Sequence, residues 1–412
     1  MTLPLTASAL NEWGFTEWMR ASKANQEAYD DISVLDDASD AVVTVDGRKM
    51  VNFASIGFLG WQHDPAVLRA FTDAAHSYGL VTGGSRITQG VNKPHREVES
   101  LLCEITGRQR ALTFASGLLA NVGFVHAMTT RFSFNQQSGM DNTDSVLVLD
   151  RDCHWSVWKA AEKLKRNQNL FTFRHNDMAD LRRVLGEVRG RKVVVCFETV
   201  YSADGSMAPV AEIADLCEEF GALSFADDAN GFMVYGNGEP RFADEYEALR
   251  RVTFLMVSFS KAVGLEGGAL MGPADAIEAF EYMSGTSMFT AAIQPPTAAA
   301  IAHVLRRMTA DRSAISRYLD RVDALRAQLT AIGCVISPTP TYVTSIHVGD
   351  DEIAETLRLQ FAERGYLVPV FRYPAVKKNN AVIRLLLNDR LSQDHLDGFV
   401  ETLAELKREH GF

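Results

Sequence analysis

Val257-Ser258-Phe259-Ser260-Lys261-Ala262-Val263-Gly264-Leu265-Glu266-Gly267-Gly268 is the stretch on which the reading of this chain turns. The apolar run Phe254-Leu255-Met256 leads into it, so the pattern predicts a buried strand delivering two hydroxyls and a lysine into a glycine-rich turn. A lysine in that setting can form a Schiff base. Hydroxyls one and three residues before it can hold a phosphate, and the glycines let backbone approach a flat ring. Taken alone, Ser-x-Ser-Lys before glycines recurs by chance, and a surface lysine at a strand end fits it as well.

A second element upstream narrows the choice. Gly221-Ala222-Leu223-Ser224-Phe225-Ala226-Asp227-Asp228 reads as a short buried strand ending in two carboxylates, after which Ala229-Asn230-Gly231 turns the chain. A carboxylate at the carboxyl end of a buried strand stands where open α/β sheets bind ligands; the plainer reading is a solvated acidic pair. Lysine and aspartate together suit pyridoxal phosphate. That cofactor draws electrons into a pyridine ring, which works best with the ring nitrogen protonated, and an adjacent aspartate keeps the proton there. The lysine must be partly neutral to attack an aldehyde, although its ordinary pKa is about 10.4, and burial favours the neutral amine.

Further blocks follow in a telling order. Val51-Asn52-Phe53-Ala54-Ser55-Ile56-Gly57-Phe58-Leu59-Gly60 comes first, then Tyr78-Gly79, Gly83-Gly84-Ser85-Arg86, Gly90 and His95-Arg96-Glu97-Val98-Glu99. Phe114-Ala115-Ser116-Gly117-Leu118-Leu119-Ala120-Asn121, Asp152-Cys153-His154-Trp155-Ser156 and Phe173-Arg174-His175-Asn176-Asp177 come next. Glu198-Thr199-Val200-Tyr201-Ser202-Ala203-Asp204-Gly205 with Ala208-Pro209 completes the series before the lysine. In these motifs, and over nearly its whole length, the chain resembles the α-oxoamine synthases among the fold-type I pyridoxal-phosphate enzymes. Within that family, Phe371-Arg372-Tyr373-Pro374-Ala375-Val376-Lys377-Lys378-Asn379-Asn380 is most similar to the enzymes that make α-hydroxyketone autoinducers.

The resemblance implies roles residue by residue. Lys261 carries the cofactor as a Schiff base and moves protons at the substrate's α-carbon, Asp227 pairs with the pyridine nitrogen, and His154 stacks on the ring and can donate to a substrate carbonyl. Ser116, Gly117 and Leu118 meet the phosphate at a helix start, where backbone N–H groups and the helix dipole favour an anion, and Ser258 adds its hydroxyl. An N-cap role for Ser116 is compatible with this. Val382-Ile383-Arg384-Leu385-Leu386-Leu387 reads as a strand with one charge among apolar residues, costly unless that arginine is paired or grips an anion. By resemblance Arg384 binds the amino acid's carboxylate, with Ser202 and Arg86 also on the substrate side. An edge-strand arginine facing water is the alternative.

Three departures from the family pattern bear on the site. Ile56-Gly57 stands where the family has Asn-Asp, so a side chain that helps hold a carboxylate is missing. Asn230 stands where the family has histidine; it can donate to the cofactor's ring oxygen but cannot titrate near neutrality. Thr290, in Met288-Phe289-Thr290-Ala291-Ala292-Ile293-Gln294-Pro295-Pro296, substitutes for a threonine that reaches the partner's phosphate across a dimer.

The rest of the chain bounds the answer. Its 412 residues are enough for two or three domains, and a net charge of −11 argues against a nucleic-acid partner. CoA would still call for a local basic patch. Five widely spaced cysteines suggest neither a disulfide framework nor a metal site and fit a reducing cytoplasm, while no apolar run has membrane-spanning length. Residues 1–50 are expected to hold an amphipathic helix around Ala9 to Tyr29, lying on a partner, and an Asp-rich linker. Residues 51–290 alternate strands and helices, which predicts a mostly parallel sheet in a large cofactor-binding domain. Residues 291–412 are expected to give a long connecting helix and a smaller α+β domain. The whole reads as α/β, a fold-type I pyridoxal-phosphate transferase.

The reaction implied by the resemblance joins an amino acid to an acyl-CoA, or to an acyl-carrier thioester, with loss of CO2, in a homodimer whose sites lie at the interface. An aminotransferase or aldolase on the same fold is the rival, made conceivable by Ile56 and Asn230. A non-catalytic relic is a further rival, against which Lys261, Asp227 and His154 all speak.

Overall fold

The first strands are β1 (Val42–Val45) and β2 (Arg48–Asn52), joined at Asp46-Gly47 with positive φ at both residues, as a tight primed turn requires. The coordinates are a computed structural model that describes residues 12–25, 34–135, 138–373 and 375–412. After β3 (Arg110–Phe114) comes a small outlying hairpin of β4 (Arg131–Ser133) and β5 (Gly139–Asp141). Then follow β6 (Val146–Asp150), β7 (Leu170–Phe173), β8 (Val193–Glu198), β9 (Leu223–Asp227), β10 (Phe254–Ser258) and β11 (Gly268–Gly272).

In space these strands form a seven-stranded sheet of order β3-β11-β10-β9-β8-β6-β7, with β11 antiparallel to both neighbours and the remaining pairs parallel. Alternate side chains enter separate cores. Val146, Val148, Val195, Phe197 and Val257 pack on one face, and Leu147, Leu149, Val194, Cys196 and Met256 on the other. Helices cover both faces, which is why these strands read as unbroken apolar runs rather than alternating ones. The parallel strands end together at their carboxyl edge, and loops carrying the candidate residues leave from there.

Two helices, Pro295–Ala310 and Ser313–Ala331, lead onward where one long helix was expected. Asp311 makes the break: its backbone is extended, and its carboxylate accepts from the N–H and the hydroxyl of Ser313. Beyond them lie β12 (Val343–Gly349), β13 (Tyr366–Leu367), β14 (Val370–Phe371) and β15 (Ala381–Leu386). The order β12-β15-β14 makes an antiparallel sheet, packed with the helices Asp351–Glu363 and Gln393–His410. β13 instead pairs in parallel with β2, Tyr366 opposite Val51 and Leu367 opposite Asn52. The stretch read as a polar linker thus contains a hairpin attached to the C-terminal part of the chain.

Of the helix expected over Ala9 to Tyr29, the structure describes Phe15–Ala24, with Trp13, Phe15 and Trp18 exposed. Residues 9–11 and 26–29 lie outside the described residues. Among the described residues no helix is long and apolar enough to cross a membrane, and all five cysteines are free thiols.

Candidate active site

Behind β3, Ser116 caps the helix Gly117–Thr129 by accepting the Leu119 N–H at 3.2 Å. The N–H groups of Gly117 and Leu118 lead that helix with no intrahelical acceptor, which makes its start an anion site. Neighbouring strands press close. A Cβ on Gly268 would lie 2.7 Å from the Gly117 nitrogen and 2.8 Å from its Cα, so only glycine lets β11 run under the helix start. A Cβ on Gly117 would meet that of Ser258 at 3.3 Å, and Ser258 Oγ lies 2.9 Å from Ser260 Oγ. The structure therefore brings Ser116, Gly117, Leu118 and Ser258 to one helix start, where free N–H groups and hydroxyls make a donor set that suits a phosphate.

Asp227 ends β9 and is only 3% exposed. One carboxylate oxygen accepts from Asn121 Nδ2 at 2.9 Å and the other from the Ala229 N–H at 3.0 Å. Burial pushes its pKa up, and a protonated ring nitrogen is the cation that would offset this. Asn121 also donates to Ser156 Oγ at 2.8 Å, and Ser156 Oγ lies 2.7 Å from His154 Nδ1. Because the Ser156 N–H also points at Nδ1, at 3.2 Å, we assign Nδ1 as the acceptor and place the imidazole proton on Nε2. The surrounding protein lowers the pKa of His154 while Asp227 pulls it back up, and the residue's exposure to solvent blunts both effects. His154 thus sits at the rim of the site as a neutral Nε2–H donor.

Lys261 follows β10 in the turn that contains Gly264 and Gly267, both at positive φ. Burial, helped by the charge of Arg384, lowers its pKa to about 8. Among the described residues its Nζ makes no hydrogen bond or ion pair, so the amine is available. Arg384 lies in β15, 7% exposed, with its guanidinium 4.5 Å over the Phe371 ring. It donates to the Ser202 carbonyl at 3.3 Å, while its Nε is buried without an acceptor. No carboxylate among the described residues forms an ion pair with it, so a buried cation beside Lys261 lacks a counter-charge.

Other expectations fare differently. Arg86 is a correction: its guanidinium is spent within the protein, on Glu99 at 2.7 Å, Glu281 at 3.0 Å and Thr113 Oγ1 at 2.9 Å, with the side chain 1% exposed. It braces the helix Lys93–Thr106 against β3 and the helix Ala274–Met283, with four of its five N–H groups spent on those partners. Asn230 gives its amide N–H to the Val200 carbonyl at 3.1 Å and leaves Oδ1 buried and unpaired. Thr290 lies in the bend after the helix Gly285–Met288, beside the exposed Phe289. Asp228 turns away from the Lys261 side and is bonded to the hydroxyls of Thr199 and Tyr246, with burial raising its pKa to about 7. Sequence reading missed Asn121, which links Asp227 to His154, and Gly268, which makes room for the cradle.

A lysine, a buried carboxylate and a helix-start cradle at the carboxyl edge of this sheet define a pyridoxal-phosphate enzyme of fold type I, and residues 48–403 match the family model described as "Aminotransferase class I and II". Within that class the chain belongs to the α-oxoamine synthase family. It is similar to the 8-amino-7-oxononanoate synthase of Thiobacillus denitrificans, 31% identical over 90% of this chain and 93% of the relative. The enzyme of the same name from Dechloromonas aromatica is 30% identical over 90% of this chain and 94% of the relative. Among solved structures, serine palmitoyltransferase from S. paucimobilis superposes with a TM-score of 0.86 at 23% identity, covering 98% of this chain and 99% of that one. The residues present fit pyridoxal phosphate, since they offer an anion cradle, an available half-buried amine and a carboxylate that a ring cation would relieve.

Proposed function

We propose that this enzyme runs the family's decarboxylative condensation of an amino acid with an acyl thioester through Lys261, Asp227, His154 and Arg384. The observation that carries the assignment is Arg384, a buried guanidinium with an unpaired Nε and no counter-ion among the described residues, in the electrostatic reach of Lys261. Such a group calls for a small carboxylate, which an amino acid brings.

When bound, the cofactor supplies an electron sink for the carbanion at the amino acid's α-carbon. Lys261, already inclined to be neutral, holds the cofactor and then takes the α-proton on Nζ. Asp227, ionised and fixed by Asn121 and the Ala229 N–H, keeps the ring nitrogen protonated. Arg384 holds the carboxylate end, so that the α-carbon bonds face the ring in a fixed orientation. His154 offers its Nε2–H to the thioester oxygen as negative charge develops there. Ser116, Gly117, Leu118 and Ser258 take the phosphate, Ser202 and Asn230 flank the bound group, and Thr290 reaches a second copy of the chain in a homodimer.

For the acyl donor we favour CoA over a carrier protein. The helix Trp155–Ala160 that starts at His154 runs into Lys159, Lys163, Lys165 and Arg166, all exposed, which suits a polyphosphate on a chain otherwise acidic. The free cysteines suit a reducing cytoplasm. The domain division expected at residues 50 and 290 stays part of this reading, with the hairpin of β1 and β2 joined to the C-terminal part.

The test is thiol release by the cofactor-loaded enzyme across a grid of amino acids and acyl-CoAs, with Lys261→Ala as control. Release that needs both substrates and vanishes in the control is expected. Formation of an α-keto acid or aldehyde without thiol would move the protein to the aminotransferase or aldolase reading.

A further inference from the structure

Glu198 ends β8 directly beside Asp227, its register partner at the end of β9. It is 1% exposed. One carboxyl oxygen accepts the Ser202 N–H at 3.2 Å, and the other, Oε1, is buried without any hydrogen-bond partner among the described residues. Asp227 differs, since both of its oxygens are met by N–H donors. Two carboxyl groups side by side at a dry strand end do not both stay charged, and the proton settles on Glu198, whose Oε1 no donor among the described residues reaches in hydrogen-bond geometry.

The surroundings agree with that division. Burial acts most strongly on Glu198, and the charges of Asp227 and Asp150 push its pKa the same way, well above the ordinary carboxyl range; the N–H groups of His154 and Ser202 oppose them. Lys261, Tyr201 and Cys153 also lie close enough to feel its charge. A neutral carboxyl carries an O–H, and with Oε1 taking part in no hydrogen bond among the described residues that O–H is open to an acceptor on a bound group. Meanwhile Asn230, the residue placed by resemblance against the cofactor's ring oxygen, already gives an amide N–H to Val200.

We propose that Glu198 is a neutral hydrogen-bond donor to the ring oxygen of the bound cofactor, beside the asparagine at position 230, which has one of its two amide N–H groups spent on Val200. The inference rests on the reading of this cavity as the cofactor's. Its two tests use different states of the protein. In the apo-protein, the infrared difference between wild type and Glu198→Gln near neutral pH should show the loss of a neutral-carboxyl C=O band; loss of a carboxylate band overturns the proposal.

In the loaded enzyme, the visible absorption of the Lys261-bound cofactor is titrated with pH. Glu198→Gln keeps an N–H donor and should hold the wild-type midpoint, whereas Glu198→Met, of similar volume and donor-free, should raise it by about one unit or more, because an oxygen without its donor pulls harder on the neighbouring proton. Equal midpoints in all three proteins would overturn the assignment, including the case where only amino-acid affinity changes, which would place the acceptor on the substrate. A wild-type protein that takes up no cofactor would overturn the cavity reading itself, and the apo infrared result would still say whether Glu198 is neutral. Should Glu198→Met fail to fold, Glu198→Ala serves as the donor-free variant, with the same rise in midpoint expected and an unchanged midpoint overturning the assignment.

Discussion

Replacing Asn121 by leucine keeps the bulk of the side chain and removes one donor from Asp227. The lost contact is a 2.9 Å hydrogen bond to a buried carboxylate. Hydrogen bonds to charged groups contribute about 1.5–3 kcal/mol, and about 1.4 kcal/mol corresponds to one pKa unit, so Asp227 should rise by roughly one to two units. The shift adds to a pKa that burial has already raised. Near neutral pH less of the carboxylate is then ionised, and the protonated ring loses its partner. Cofactor affinity should fall by about tenfold to a hundredfold near pH 7 and recover partly as pH rises and Asp227 ionises again. Cofactor titration of the apo-protein by absorbance, repeated over several pH values, measures this. Ser156→Ala is the matched control: it cuts the link from Asn121 to His154 and leaves the Asp227 contact, so its affinity should stay near wild type. An Asn121→Leu protein with wild-type affinity and pH profile would refute the argument that this amide sets the charge of Asp227.

Two further outcomes follow from buried charges away from the cradle. Arg86→Met strands Glu99 and Glu281, and with Arg96 and Arg110 still touching those carboxylates the cost should sit near the low end of the range for broken buried pairs, about 3 kcal/mol; denaturant unfolding should show it, while folded molecules keep wild-type affinity for substrate. Near the turn before the helix Met178–Glu187, burial pulls the pKa of His175 down, but its bond to Asp150 at 3.1 Å and that residue's charge outweigh it, so the net shift is upward; Asp150 is shifted downward, burial being outweighed by His175. A raised histidine contributes stability that is complete below its unfolded pKa of about 6.5 and is lost as pH rises through the folded value. His175→Gln should therefore lose stability near pH 6 and much less near pH 9, and equal losses at both pH values in chemical denaturation would contradict this assignment.

Much of the fold was legible because strands buried on both faces must be written as continuous apolar runs, and β6, β8, β9 and β10 begin and end within a residue or so of where such runs do. Lys261, Asp227 and Ser116 were legible for a related reason, since each sits where a run stops and glycine or a cap begins. Arg86 was misread because a guanidinium is free or spent according to partners that arrive from elsewhere, here Glu281 from 195 residues away. Glu198 and Asn121 stood inside recognisable motifs, yet an unpaired oxygen or a bridging amide exists only once neighbouring strands and helices are assembled. The hairpin of β1 and β2 did carry a local signal, Asp46-Gly47 between two Val-containing runs, and the surrounding acidic residues hid it. Asp311-x-Ser313 likewise marked a helix start, within alanine-rich flanks that keep a helical period on both sides.

The pairing of β2 with β13 has a consequence for how the chain comes off the ribosome. Arg48 of β2 reaches the carbonyl of Ala362, just before β13, across 314 residues. At roughly 5–20 residues per second, about fifteen seconds to a minute of translation separates one edge from its neighbour. Throughout that interval β2 presents open backbone groups to other nascent chains, so the earliest hairpin to be made is among the last to be completed, and crowded polysomes are where this enzyme is most exposed to mispairing.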